Sequence, residues 1–179
     1  NTGSDYERTR HNVGFEVVDR LARRLAGGEV ARSRFDAVVI ETRLGDEKLM
    51  LARPQTLMNR SGQSVRAAMD FYKADAAKDL LVIVDDIHLP CGAMRMRSDG
   101  GDGGHNGLAD IINHLGGEAW TRLRVGIDEP PQHMDQADYV LGRFGDEQLE
   151  DLERAMASYE RLFKEQPTSR RVRDQLSRL

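Results

Sequence analysis

The sequence predicts an α/β fold: a single domain over residues 1–179 whose twisted mixed β-sheet is flanked by α-helices. Three observations lead there. Residues 80–84 (Leu-Leu-Val-Ile-Val) form a short continuous apolar run that empties into Asp85-Asp86, as a strand buried on both faces would. Segments of helical period alternate along the chain with segments of strand period, the order that layers helices on a sheet. Finally, Met94 and Met96 alternate with Arg95 and Arg97, and Leu123, Val125 and Ile127 with Arg122 and Arg124, so each strand has an apolar face and a cationic face.

In chain order, Asn1-Thr2-Gly3-Ser4-Asp5 reads as a turn, and Phe15, Val18, Leu21, Ala22 and Leu25 follow at helical spacing until Gly27-Gly28 ends the helix. Residues 35–42 and 48–53 read as two strands separated by Leu44-Gly45-Asp46, and residues 61–72 as a helix. The run Gly100-Gly101-Asp102-Gly103-Gly104-His105-Asn106-Gly107 leads into Leu108, Ile111, Ile112 and Leu115 at helical spacing. A helix starting near Asn106 would aim unpaired N–H groups and its positive dipole end into that loop, where an anion could bind. The same glycines also suit tight turns, and Asn106 suits an N-cap. Residues 128–136, with Pro130-Pro131, read as a loop. Residues 146–164 carry Leu149, Leu152, Met156, Tyr159 and Phe163 on one helix face, and residues 169–179 read as a short terminal helix or a frayed end.

Composition narrows the chemistry. A chain of 179 residues can bury a proper core without covalent staples. Its single cysteine, Cys91, excludes an intrachain disulfide and a multi-cysteine zinc site and favours a reducing compartment, so the cytoplasm is expected. No apolar run approaches membrane-spanning length and no charged-then-apolar leader is visible, so no membrane partner is expected. The net charge of −4 means that a nucleic acid would need a local basic patch. If the two alternating strands are neighbours, Arg95, Arg97, Arg122 and Arg124 gather four guanidiniums beside the glycine loop, with forked donors suited to phosphate. Arginines that merely solvate an outer sheet face would give the same pattern.

His11 and Asn12 precede the first helix, Met58 and Asn59 the second, His105 and Asn106 the third, while Asp85 ends the buried strand. Ligands in α/β folds collect outside the carboxyl ends of strands. A catalytic histidine needs a carboxylate to fix its tautomer, and Asp85 suits either His11 or His105. Each asparagine alone suits a helix cap, whereas three beside histidines could position a water and an oxyanion without a metal. Ser61 and Ser64 lack a nucleophile elbow, and Cys91 sits in no nucleophile motif. His88 with Asp85 and Asp86 matches no metal-ligand spacing, and the glycine loop lacks the Lys-Ser/Thr ending of a P-loop. Neither metal nor cofactor is expected.

Five blocks carry a family resemblance: Thr9-Arg10-His11-Asn12 with Gly14-Phe15; Pro54, Thr56, Met58-Asn59 and Ser61-Gly62; Asp85-Asp86 with Leu89-Pro90 and Gly92; Gly103 to Leu108; and Arg122 to Ile127. Together, and followed by Tyr139-Val140-Leu141 and Phe144, the chain resembles the bacterial-type peptidyl-tRNA hydrolases. The resemblance implies a phosphorylase/hydrolase-like fold and a metal-independent, monomeric, cytoplasmic enzyme that cleaves the ester between a nascent peptide and the 3′ end of tRNA. It implies His11 as general base, Asp85 as its orienting carboxylate, and Asn106 as a group that positions the water. Asn1, Tyr6, Met58, Asn59, His105 and Asn106 would line the substrate site, and Arg97 and Arg124 would clamp a tRNA phosphate.

The family usually places a buried strand before the asparagine that matches Asn1, so the first strand is expected to be missing from the chain. Thr2 stands where proline is usual, His88 where aspartate is common, Cys91 often where proline stands, and Arg97 often where lysine stands. Relatives of this fold also include non-catalytic RNA-binding splicing factors, the alternative reading, to which His11, Asp85, Asn59 and Asn106 give no support. A third reading gives the same constellation another acyl ester or amide.

Overall fold

The hairpin signal at Gly45 and the buried run before Asp85 end up in different sheets. A computed structural model of the chain describes residues 2–165, with side chains described through residue 158. Its elements are α1 (Val13–Leu25), β1 (Arg32–Arg34), β2 (Ala37–Leu44), β3 (Glu47–Pro54), α2 (Ser61–Tyr72), α3 (Ala76–Asp79), β4 (Leu81–Asp86), β5 (Met94–Arg97), α4 (Asn106–Leu115), β6 (Thr121–Gly126), α5 (Gln136–Leu141) and α6 (Asp146–Glu165). Short 3-10 turns at Ser4–Tyr6, Arg10–Asn12 and Met58–Arg60 precede α1 and α2.

The antiparallel sheet has order β1-β2-β3 and the mixed sheet order β4-β6-β5. In the mixed sheet β4 runs parallel to β6, which sets Asp85 opposite Val125, and β5 runs antiparallel to β6, which sets Arg95 opposite Arg124 and Arg97 opposite Arg122. The apolar faces of β5 and β6 join a core of Val13, Val17, Val125, Ile127, Tyr139, Val140, Leu152 and Met156. A second cluster of Val84, Leu108, Ile111 and Trp120 lies under α4.

Several expectations from the sequence need correction. Burial of β4 on both faces holds only towards its carboxyl end: Leu81 is 48% exposed while Val84, Asp85 and Asp86 are buried. Among the described residues β4 pairs only with β6, and an apolar cavity of about 870 Å³ borders β4, α1, α2 and β3. The strand β1 was not expected. It is three polar residues folded onto β2 by a turn in which Phe35 and Asp36 both adopt positive φ, 57° and 50°, the conformation of a two-residue hairpin loop. Nor was α5, whose N-cap Asp135 accepts hydrogen bonds from the Ala137 and Asp138 amides. Residues 169–179, like Asn1, lie outside the described residues, as do the side chains of Tyr159 and Phe163.

One close approach positions the functional end of the molecule. Gly14, in the first turn of α1, lies so near β4 that a Cβ there would sit 2.4 Å from the Ile83 carbonyl oxygen. That contact draws the turn Arg10–Asn12 over the carboxyl end of β4. Gly14→Ala therefore forces two backbones apart, at a cost of roughly 1–3 kcal/mol or more, whereas Gly27→Ala meets nothing nearer than 3.9 Å. Urea unfolding should show Gly14→Ala clearly destabilised and Gly27→Ala near wild type; equal stability of the two variants would remove this packing constraint.

Candidate active site

Asp85 is the hub of the carboxyl end of β4. Its Oδ1 lies 2.9 Å from His11 Nδ1 and 3.2 Å from His105 Nε2, and the two rings stand 4.8 Å apart. The Asp85 side chain is 4% exposed, and each imidazole 11%. Burial pushes the carboxyl towards its neutral form, but the hydrogen bonds from His105 and His11 outweigh burial and hold its pKa well below the usual carboxylate range. An ionised carboxylate only accepts hydrogen bonds, so His11 carries its proton on Nδ1 and keeps the Nε2 lone pair for a base's work.

The turn that carries His11 is fastened from below. The Arg10 guanidinium donates to the Tyr139 carbonyl (3.2 Å) and to Gln148 Oε1 (2.8 Å), and lies 4.2 Å from the Tyr139 ring. The Arg10 amide donates to the Gly142 carbonyl at 3.0 Å. Tyr139 is itself held by donating its hydroxyl to the Ile127 carbonyl at 2.6 Å. Asn12 is buried at the N-cap of α1 without capping it, because its Nδ2 donates to the Tyr6 carbonyl at 2.9 Å. Tyr6 is thus joined to the turn by its backbone, with its side chain half-buried.

The glycine loop delivers His105, not Asn106, to the N-cap of α4. His105 Nδ1 accepts from the Gly107 and Leu108 amides, both at 3.1 Å, and the Ala109 amide donates to the His105 carbonyl. The anion site expected at this helix start is therefore largely occupied by the protein's own imidazole. Asn106 is the first residue of α4 and is exposed; Asn59, in the turn Met58–Arg60, is exposed too. Neither caps a helix with its side chain, so both carboxamides stay available to a ligand. Met58 seals the gap between these two elements: a Cβ on Gly107 would lie 2.7 Å from Met58 Sδ and 2.9 Å from His105 Cε1.

The arginine face exists, but its four members are not equivalent. Arg122 is fully buried, stacks on Trp120 at 3.9 Å, and donates to the carbonyls of Gly100, Gly101 (3.2 Å) and Glu118 (2.9 Å). It ties down the base of the glycine loop and presents nothing to a ligand. Arg124 reaches Asp86 Oδ2 at 3.2 Å and the Gly101 carbonyl at 3.4 Å, near Gly103 of the loop. Arg95 and Arg97 are exposed, and among the described residues neither forms an ion pair. Sequence reasoning missed the structural duties of Arg10 and Arg122; their side chains answer carbonyls from segments distant in the sequence, which leave no periodic signal.

His11, Asp85 and His105 are the only group among the described residues whose ligand atoms, all within 4.8 Å of one another, could surround a cation. Proton accounting opposes it. With His105 Nδ1 accepting two backbone N–H bonds, the ring proton sits on Nε2, which then has no lone pair for a metal unless the cap of α4 breaks. His88 is exposed and 3.7 Å from Glu129, away from this cluster. Burial, with Asp128 and Asp151 next, pushes the Cys91 thiol up to about 11, so it is no nucleophile. No helix among the described residues is long and apolar enough to cross a membrane.

Comparison with known proteins gives one result. The family model described as peptidyl-tRNA hydrolase matches residues 1–178. The peptidyl-tRNA hydrolase of Rhodopirellula baltica is 49% identical over 156 residues, which cover 87% of this chain and 81% of that protein. That of Halalkalibacterium halodurans is 45% identical over 156 residues, 87% of this chain and 83% of that protein. The crystal structure of the peptidyl-tRNA hydrolase from Acinetobacter baumannii superposes with a TM-score of 0.81 at 34% identity, covering 88% of this chain and 79% of that one.

The depressed pKa of Asp85 makes an expectation about acid. Stability that depends on its folded-state ionisation is present above the unfolded value, about 3.9, and is lost as pH falls through the lower folded value. Asp85→Asn should unfold at lower urea than wild type at pH 6, and the gap should shrink progressively below about pH 4. A gap that stays constant down to pH 3 would contradict an ionised Asp85 held by two imidazoles.

Proposed function

The chain belongs to the peptidyl-tRNA hydrolase family, and from that membership we propose that it hydrolyses the ester between a peptide and the 3′-terminal ribose of tRNA with His11 as the general base. The observation that carries this reading is the 2.9 Å bond from His11 Nδ1 to a buried Asp85 carboxylate, because it commits Nε2 to accepting a proton. In that chemistry His11 Nε2 takes a proton from water as the water oxygen bonds to the ester carbonyl carbon. The carbonyl electrons move to oxygen, and the tetrahedral intermediate collapses by breaking the bond to the ribose oxygen. His11 returns its proton to that oxygen, leaving tRNA with a free 3′ hydroxyl and the peptide as a carboxylic acid, which then loses its proton to solvent.

The exposed carboxamides of Asn106, at the start of α4, and Asn59, in the turn before α2, suit positioning of the water and stabilisation of the oxyanion. Met58 and Tyr6 supply the apolar and aromatic wall. Asn1, also assigned to the substrate site, lies outside the described residues. A general base of this kind supplies about 10²- to 10⁴-fold, so positioning and oxyanion stabilisation carry the rest. No step needs a metal or cofactor; the family resemblance supports a monomer, and the single cysteine supports a cytoplasmic setting.

The tRNA phosphate clamp falls to unequal partners. Arg97 is exposed without an ion pair among the described residues, while Arg124 shares its charge with Asp86. Release of an N-acylated amino acid from charged tRNA should occur with chelator present and vanish in His11→Ala, with tRNA affinity largely retained; persistent turnover in that variant would remove His11 as base. For the clamp, Arg97→Ala should lower the slope of log affinity against log salt by about one, with a smaller drop for Arg124→Ala. Unchanged slopes in both would place the phosphate elsewhere.

A further inference from the structure

His105 does two jobs with two nitrogens, and the first dictates the second. Its Nδ1 accepts from the Gly107 and Leu108 amides. Backbone amides can only donate, so this nitrogen is unprotonated and the neutral ring carries its hydrogen on Nε2. That hydrogen points at Asp85 Oδ1, 3.2 Å away, the same oxygen that receives His11 Nδ1–H at 2.9 Å. Capping a helix thus selects one tautomer of a histidine in the site, and that tautomer supplies the second donor of a buried carboxylate.

We propose that His105 is a positioning residue for the hydrolysis: by capping α4 through Nδ1 it is locked as the Nε2–H tautomer, and its bond to Asp85 fixes the carboxylate that orients His11. This differs from the substrate-lining role that the family resemblance implies, and it rests on the reading of His11 as base. Three features support it. Both ring nitrogens are engaged within the protein, Nδ1 by the Gly107 and Leu108 amides and Nε2 by Asp85, which leaves neither for a ligand. Gly107 has no room for a Cβ between Met58 and the His105 ring, so the ring is seated from behind. Asp85 is 4% exposed, so its charge depends on donors from the protein, and His105 is one of two imidazoles that reach it. The lock also sets Asn106, the next residue, in a fixed relation to the base, because His105 and His11 bond the same Asp85 oxygen.

The test uses ¹⁵N-histidine-labelled full chain and long-range ¹H–¹⁵N correlation of the ring nitrogens, which needs neither substrate nor variant. His105 should show an unprotonated Nδ1 and a protonated Nε2, and His11 the reverse; a protonated His105 Nδ1 overturns the proposal outright. His105→Asn keeps a good N-cap, but its carboxamide N–H falls short of the His105 Nε2 position and does not reach Asp85. It should lower kcat about 10- to 100-fold by loosening the base, with KM within about twofold and a mixed tautomer signature at His11. His105→Ala should lose the cap as well and show the same kcat loss with lower thermal stability. If His105→Asn raises KM alone, His105 is a substrate contact. If it restores both kcat and the His11 signature, His105 is only a cap, and either result overturns the proposal. Should the wild-type chain release nothing from charged tRNA, the hydrolase reading fails while the tautomer measurement still decides the lock.

Discussion

A carboxylate that stays ionised while almost wholly buried must be held by donors, and the arrangement of this molecule follows from how Asp85 obtains them. The β4–β6 pairing carries it to the buried carboxyl end of its strand, where it can meet groups from helix starts but little water. The turn before α1 contributes one imidazole and the N-cap of α4 the other, so two helices that do not follow each other in the chain are keyed to one oxygen. An isolated charge at such a site would neutralise instead, and a neutral Asp85 could not fix the tautomer of His11. Folding and the proposed chemistry therefore share a condition: the same two bonds that make burial of the charge tolerable also prepare the proposed base.

The supports of this hub are graded by distance from it. His11 is set by Arg10, whose guanidinium reaches the Tyr139 carbonyl and Gln148 and so ties the turn that carries His11 to α5 and α6. His105 is set by the glycine loop, and the base of that loop by Arg122, buried against Trp120 with its donors spent on carbonyls. Arginine suits both tasks because its rigid fork can answer several carbonyls at once and its plane stacks on an aromatic ring. The consequence for binding is that a count of arginines overstates the cationic face. On β5 and β6 one guanidinium is consumed by structure and one is shared with Asp86, which leaves Arg95 and Arg97, without ion pairs among the described residues, as the free cations of that face on a chain of net charge −4.

What the sequence made legible divides along the same line. Periodic elements were readable because their signal is local: α2 begins and ends at Ser61 and Tyr72 as the pattern has it, and β4 empties into Asp85-Asp86. The partnership of Asp85 with a histidine was readable from chemistry, but not that both histidines would claim it, since that depends on the loop conformation. Elements stabilised by a single contact were not readable. β1 exists because Phe35 and Asp36 accept positive φ, and α5 because Asp135 caps it and Tyr139 anchors it. The asparagines misled for a related reason: a residue type that favours N-caps was found before each helix, yet a histidine took the cap of α4 and left Asn106 exposed.

That exchange has a mechanistic logic. An asparagine cap on α4 would satisfy the Gly107 and Leu108 amides equally well but would spend a carboxamide, which both donates and accepts and so suits water and an oxyanion. A histidine cap spends only its Nδ1 lone pair and returns a directed Nε2–H towards Asp85. The helix start is thereby satisfied by a ring that is useful at its far end, and the adjacent carboxamide is released to the solvent side of the site. The same assignment of protons disfavours a metal at the cluster, because the nitrogen that would ligate is the one compelled to carry hydrogen. Acid–base chemistry with water fits these three residues better than Lewis-acid chemistry does, and the cause is a pair of backbone amides in the first turn of α4 rather than any property of the histidines alone.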